Sequence, residues 1–100
     1  MNIVWTLHAE EQLRAIAFAI AEDRSREDAV NWVQQLREQV ASIADFPGIG
    51  HVPREPWLDT FREIDFKGYR IFYQVEKARS PAKAVVISVF AFIFASSFRS

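Results

Sequence analysis

The hydrophobic residues of this chain repeat with a helical period in its first half and with a period of two in its second half. Residues 9–21 and 29–43 carry apolar side chains at intervals of three and four, which is typical of one face of an α-helix. Residues 69–76 alternate between apolar and polar side chains, which is typical of a β-strand. A chain of 100 residues with both periods is predicted to form one α+β domain spanning residues 1–100.

Capping and turn residues indicate where these elements begin and end. Thr6 and Ser25 each precede an apolar stripe and are predicted N-caps, with the second helix running to about Asp45. Lys67-Gly68 is a predicted two-residue turn. Strands are expected at residues 2–6, 60–66, 69–76 and 84–93. The predicted order is β-α-α-β-β-β, with a helical hairpin packed on one face of a mostly antiparallel four-stranded sheet.

The composition excludes several classes of site. The chain has no cysteine, which removes disulfides, thiolate zinc sites and cysteine nucleophiles. Its two histidines, His8 and His51, have no metal-ligand spacing, and no glycine-rich phosphate-binding motif occurs, so neither a metal nor a cofactor is expected. The net charge is −1, and the sequence lacks the dense stripe of basic residues that strong nucleic-acid binders carry. We therefore expect no direct DNA binding by this chain alone.

The run from Ala84 to Phe98 contains no charged residue. Its 15 residues fall short of the roughly 20 that a membrane-spanning helix needs, so a buried central strand is predicted and no membrane partner is expected. Phe92, Phe94 and Phe98 exceed what a small core demands, and we expect a partner or a second copy of the chain to cover them. No targeting segment is recognised at the N-terminus, which predicts a cytoplasmic protein.

Arg62 and Arg70 are the most informative polar residues, because each lies in a predicted strand among apolar neighbours. Arg70 shares a strand face with Phe72, and the helices are expected to cover the opposite face. Arg70 then either pairs with a carboxylate such as Glu63 across the hairpin, or binds a phosphate or carboxylate of a partner.

Two aromatic residues in the helices fall off the main apolar stripes. Phe18 and Trp32 either line a groove for a partner or complete the core. The sequence leaves both interpretations open.

Several segments at consistent separations resemble the RelE/ParE toxin superfamily over residues 3 to about 90. These are Val4-Trp5-Thr6, the Ala9…Leu13…Ile16-Ala17 helix, the Phe46-Pro47-x-Ile49-Gly50 loop, and Phe61-Arg62-Glu63-Ile64…Gly68-Tyr69-Arg70-Ile71-Phe72-Tyr73-x-Val75. The superfamily comprises the small toxins of bacterial type II toxin–antitoxin modules, including plasmid-stabilisation modules. The resemblance implies a toxin that a cognate antitoxin, either ParD-like or of another type, neutralises, and it is compatible with a toxin–antitoxin hetero-oligomer.

The resemblance implies one of two activities. ParE-like toxins inhibit DNA gyrase by binding it, whereas RelE-like toxins cut mRNA on the ribosome. Where many members carry a His-Gly-Arg-Arg-like segment, this chain has Ala91-Phe92-Ile93-Phe94, which favours the ParE-like activity and no enzymatic role. The alternatives are a RelE-like endoribonuclease using Arg62 and Arg70, and a non-toxic relative that only binds an antitoxin. The residues expected to contact target or antitoxin are Arg62, Arg70, Phe72, Phe18, Trp32, Phe92, Phe94 and Phe98.

Overall fold

The structure is a computed structural model that describes residues 2–76 and 83–91. Its helices and strands are β1 (Asn2–Trp5), α1 (Leu7–Asp23), α2 (Arg26–Ala41), β2 (Arg62–Phe66), β3 (Tyr69–Glu76) and β4 (Lys83–Ala91). Two short 3₁₀ turns, Ser42–Ala44 and Pro56–Leu58, lie between α2 and β2. The order of elements agrees with the order predicted from the sequence.

Both predicted helix caps are confirmed. The Thr6 hydroxyl accepts a hydrogen bond from the Ala9 amide at 3.1 Å, and the Ser25 hydroxyl accepts one from the Asp28 amide at 3.0 Å. Helix α2 is shorter than predicted. It ends at Ala41 because the next residues form a 3₁₀ turn, in which the Asp45 amide bonds back to the Ser42 carbonyl.

The sheet has the strand order β1-β4-β3-β2. Strand β1 pairs with β4 in parallel, and the other pairs are antiparallel. The predicted turn between β2 and β3 is confirmed: Lys67 and Gly68 have φ angles of 46° and 85°, as a type I′ turn requires. Between β3 and β4 the register shifts, since Phe72 pairs with Ser88 and Tyr73 with Val86, which makes Ile87 the extra residue of a bulge.

Helices α1 and α2 pack on one face of this small, largely antiparallel sheet, which confirms the α+β class and the helical hairpin. The core lies between the two layers and comprises Ala9, Leu13, Trp32, Leu36, Val40, Ile43, Ile64, Phe66, Ile71 and Tyr73. The alternation predicted for the hairpin is confirmed, because Ile64 and Ile71 pair on the face that the helices cover.

The loop from Asp45 to Phe61 crosses from one face of the sheet to the other. Near its start, the buried Tyr73 hydroxyl donates to the Pro47 carbonyl at 2.8 Å and accepts from the Gly50 amide at 2.9 Å. His51 then forms a two-bond antiparallel bridge with Glu63 at the edge of β2. The loop thereby brings Glu55 to the face opposite the helices.

The face of the sheet opposite the helices is also covered at Arg70, where the sequence predicted no helix. The loop that carries Glu55 closes over it, and the exposed fractions of Arg70 and Phe72 are 5% and 4%. Within the described residues, no helix is both long enough and apolar enough to span a membrane.

Candidate functional site

The face of the sheet opposite the helices carries a buried guanidinium held by two carboxylates. Arg70 donates from Nε and Nη2 to Glu63, each at 2.8 Å. It also donates from Nη1 and Nη2 to Glu55, at 2.6 and 2.7 Å. Four of the five N–H donors of the guanidinium are therefore committed to carboxylate oxygens.

The residues around the Arg70 guanidinium come from one face of strands β2 and β3 and from the loop that precedes β2. Glu63 and Asp65 lie two positions apart on β2 and so share a face, and Arg70 pairs with Asp65 across the hairpin. Arg70 reaches diagonally to Glu63, which is the pairing that the sequence offered as one alternative. The guanidinium also stacks over Phe72, with its central carbon 4.8 Å from the ring centroid.

The two carboxylates that bind Arg70 are stabilised in their ionised form. The hydrogen bonds from Arg70 lower the pKa of Glu55 from 4.5 to about 2. Burial by itself raises the pKa of Glu63, but the bonds and charge of Arg70 outweigh it, so that pKa is lowered. Bonds to Glu55 and Glu63 raise the pKa of Arg70.

Asp65 has the opposite shift, because it is the third carboxylate on this face. Partial burial and the neighbouring Glu63 raise the pKa of Asp65. The imidazole Nε2 of His51 lies 3.8 Å from Oε1 of Glu63. His51, Glu63 and Asp65 thus form a compact polar group beside the Arg70 cluster.

The structure does not bring Arg62 and Arg70 together. Arg62 pairs with Tyr73 and lies in register with the core-facing residues Ile64 and Phe66, whereas Arg70 lies on the other face. The half-buried Arg62 side chain donates to the neighbouring Phe61 carbonyl at 3.2 Å. The two arginines therefore cannot converge on one phosphate without a rearrangement of the hairpin.

An open apolar groove of about 670 Å³ runs along the outer side of the helical hairpin. Its apolar lining includes Ala17 of α1 and Val30 and Val33 of α2, and the side chains of Arg26 and Arg37 flank it. The exposed fraction of Val30 is 57%, which is high for a branched aliphatic side chain.

The other expected contact residues lie in different environments. Phe18 projects from α1 with 67% of its surface exposed, which leaves it accessible to a partner. Trp32 packs edge-on against Phe66 and Tyr69, with ring centroids 5.8 and 5.0 Å apart, in agreement with the alternative that it completes the core. Phe92, Phe94 and Phe98 lie outside the described residues.

Sequence reasoning missed Glu55, the closeness of His51 to Glu63, and the residues that line the groove, which do not include Phe18 or Trp32. Glu55 lies in a proline-containing loop 15 positions before Arg70, and no periodic pattern connects the two residues. The signal for the groove was present, since Ala17, Val30 and Val33 are small or aliphatic residues near the edge of the helical stripes.

The structure is thus a small α+β protein with a helical hairpin on one face of its sheet, a carboxylate-bound arginine on the other face, and an open apolar groove along the helices. The family model described as the ParE toxin of the type II toxin–antitoxin system, parDE, matches residues 3–91. The chain therefore belongs to the ParE toxin family, and the resemblance to the RelE/ParE superfamily is confirmed.

Two solved structures have a similar fold. One is described as the chromosomal ParDE toxin–antitoxin system from P. aeruginosa, with a TM-score of 0.75 and 20% identity over 91% of this chain and 95% of that chain. Another is the YoeB/ParE toxin from Agrobacterium tumefaciens, with a TM-score of 0.62 and 16% identity over 91% and 98% of the two chains. At these identities the likeness shows a shared fold. A search of curated proteins finds no match.

Proposed function

We propose that this protein is a toxin of the ParE type that inhibits DNA gyrase by binding it and that a cognate antitoxin neutralises. One observation carries the proposal. Arg70 is the arginine best placed for phosphate chemistry, but its guanidinium is already bound to Glu55 and Glu63. A guanidinium whose donors are already bound to carboxylates is poorly suited to stabilise the charge that develops on a phosphate during cleavage.

The surrounding charge supports the same conclusion. Glu55, Glu63 and Asp65 surround one guanidinium, so this part of the face carries an excess of negative charge that repels an RNA backbone. RNA cleavage also requires a general acid and a general base near the scissile bond. Arg62, the second residue of the RelE-like alternative, lies on the other side of the sheet.

Inducible expression in a bacterial host tests the activity. A gyrase inhibitor should arrest growth and leave reporter plasmids relaxed, while ribosome-associated mRNA stays intact. Codon-phased cuts in primer extension with the wild-type protein would support the RelE-like alternative instead. Growth at the uninduced rate would support the non-toxic, antitoxin-binding alternative.

For the antitoxin, we propose that the groove between α1 and α2 receives an apolar segment. Its lining is apolar, it is open to solvent, and Phe18 and Val30 are exposed on the two helices that form it. Phe92, Phe94 and Phe98 are proposed to contact the antitoxin as well.

Replacement of an exposed valine by glutamate tests whether the groove is the antitoxin contact. Val30→Glu should weaken antitoxin binding at least tenfold, since it places a charge in an apolar interface. Val52→Glu is a matched control, because Val52 has a similar exposed fraction, 53% against 57%, and does not line the groove. Truncation after Ala91 should also weaken binding. Equal affinity of wild type, Val30→Glu and the truncated chain would contradict the proposed contacts.

A further inference from the structure

Three metal-ligating side chains meet at the edge of β2. One ligand atom each from His51, Glu63 and Asp65 can be chosen so that all three lie within 4.8 Å of one another. Ligands of one Zn²⁺ ion, each about 2.0–2.2 Å from it, are separated by roughly 3.5 Å in a tetrahedral site. His51 and Asp65 are exposed, so adjustment of these two side chains is what must bring the observed group to that spacing.

The backbone fixes the positions from which these side chains project. The His51 amide donates to the Glu63 carbonyl at 2.9 Å, and the Glu63 amide donates to the His51 carbonyl at 2.8 Å. Asp65 follows two residues later on the same strand and therefore faces the same side. Two ligands thus come from one strand and the third from a segment hydrogen-bonded to that strand.

Glu63 is itself held by further hydrogen bonds, as metal-binding carboxylates usually are. Arg70 binds both oxygens of Glu63, and Glu55 in turn binds Arg70. Each carboxylate oxygen has two lone-pair directions, so the bond from Arg70 to Oε1 leaves one direction of that oxygen for another partner. Oε1 is also the oxygen nearest the His51 imidazole, at 3.8 Å.

The charge of the group favours a cation. With its carboxylates ionised, the set of Glu55, Glu63, Asp65 and Arg70 has a formal charge of −2.

Solvent has access to the site. His51, Glu63 and Asp65 line a partly open cavity of about 280 Å³, together with Gln39 and Ser42 from the end of the helical hairpin. An ion can therefore enter without unfolding of the loop, and space remains for a water molecule or for a donor atom of a partner at a fourth position.

We propose that His51, Glu63 and Asp65 bind a single divalent transition-metal ion, for which Zn²⁺ is the best match. One imidazole and two carboxylates suit Zn²⁺ better than Mg²⁺ or Ca²⁺, which prefer all-oxygen sites. The site lies on β2 and its bridging loop, away from the groove between the helices, and does not depend on the function proposed above.

The first experiment is titration of the untagged full chain, freed of metal by dialysis against a chelator, with Zn²⁺ in a calorimeter. We expect one ion per chain. His51→Ala and Asp65→Asn should each weaken binding at least tenfold. His8→Ala is the matched control, because His8 is the other histidine of the chain and lies at the start of α1; it should bind Zn²⁺ as the wild type does.

Histidine proton resonances in an NMR titration give a second readout that does not depend on affinity. The signals of the His51 imidazole should shift with Zn²⁺ and saturate at one equivalent, while those of His8 stay in place. Absence of saturable binding, or equal losses in the His8→Ala and His51→Ala variants, would overturn the proposal. Glu63 is not substituted, because its pairing with Arg70 also supports the fold.

Discussion

Arg70 and Glu63 form a side-on pair across the β2–β3 hairpin, with Nε–Oε2 and Nη2–Oε1 distances of 2.8 Å. Both residues are almost fully buried, at 5% and 2% exposure. The guanidinium of such a pair holds the two strands of the hairpin together, and its positive charge is neutralised by a carboxylate of the same chain.

Replacement of Arg70 by alanine should strongly destabilise the protein. It leaves the Glu63 carboxylate buried without its partner, which typically costs about 3–5 kcal/mol of unfolding free energy. Urea unfolding followed by circular dichroism measures the loss. Arg62→Ala is the control, expected to cost less than about 1 kcal/mol, since within the described residues the half-buried Arg62 side chain donates to the carbonyl of its neighbour Phe61 and pairs with no carboxylate. Equal losses would contradict a structural role specific to Arg70.

The stability of the protein should depend on Glu55 in acid. Its pKa is lowered from 4.5 to about 2 in the folded chain by hydrogen bonds from Arg70. The stabilisation is therefore complete above about pH 4.5 and is lost as the pH falls towards 2. Unfolding free energies measured between those values should fall more steeply for the wild type than for Glu55→Gln. Parallel curves would show that Glu55 does not contribute in this way.

Two glycines of the same loop should differ in their tolerance of a side chain. A Cβ added at Gly50 would lie 2.6 Å from the Tyr73 hydroxyl and 3.0 Å from the Glu63 carbonyl, whereas a Cβ at Gly48 meets no atom of the described residues within 4 Å. Gly50→Ala should cost about 1–3 kcal/mol through overpacking, and Gly48→Ala less than about 0.5 kcal/mol. Thermal unfolding of the two variants compares them directly.

Loss of the Tyr73 hydroxyl should also loosen this loop. Tyr73→Phe removes the partner of the Pro47 carbonyl and of the Gly50 amide, at a cost of about 1–3 kcal/mol. Hydrogen exchange at the Gly50 amide should accelerate more than at the His51 amide, which keeps its bond to Glu63. Unchanged exchange at Gly50 would mean that the hydroxyl does not hold the loop.

The parts of the fold that the sequence predicted are those set by local chemistry. Thr6 and Ser25 cap helices because their hydroxyls accept bonds from amides three residues ahead. Lys67-Gly68 sets the hairpin because both residues adopt positive φ. Register then follows from alternation, since a slip by one residue would bury Arg70 and Glu63 among the helices.

The candidate site was less predictable because the loop supplies two of its residues, Glu55 and His51. The pairing of Arg70 with Glu63 follows from the hairpin and was foreseen as one alternative. Glu55 and His51 reach the same face only because the loop crosses the edge of β2, and no periodicity encodes that path. The end of α2 at Ala41 likewise depends on a turn that the apolar stripe does not reveal.

Inhibition of gyrase by direct binding is the activity that we propose for this protein. The most direct measurement is plasmid supercoiling by purified gyrase, with increasing amounts of the purified toxin and with toxin premixed with its antitoxin. Supercoiling should fall as toxin is added and recover with antitoxin, while ribosome-bound mRNA in a parallel reaction stays uncut. Normal supercoiling at a large molar excess of folded toxin would contradict the claim.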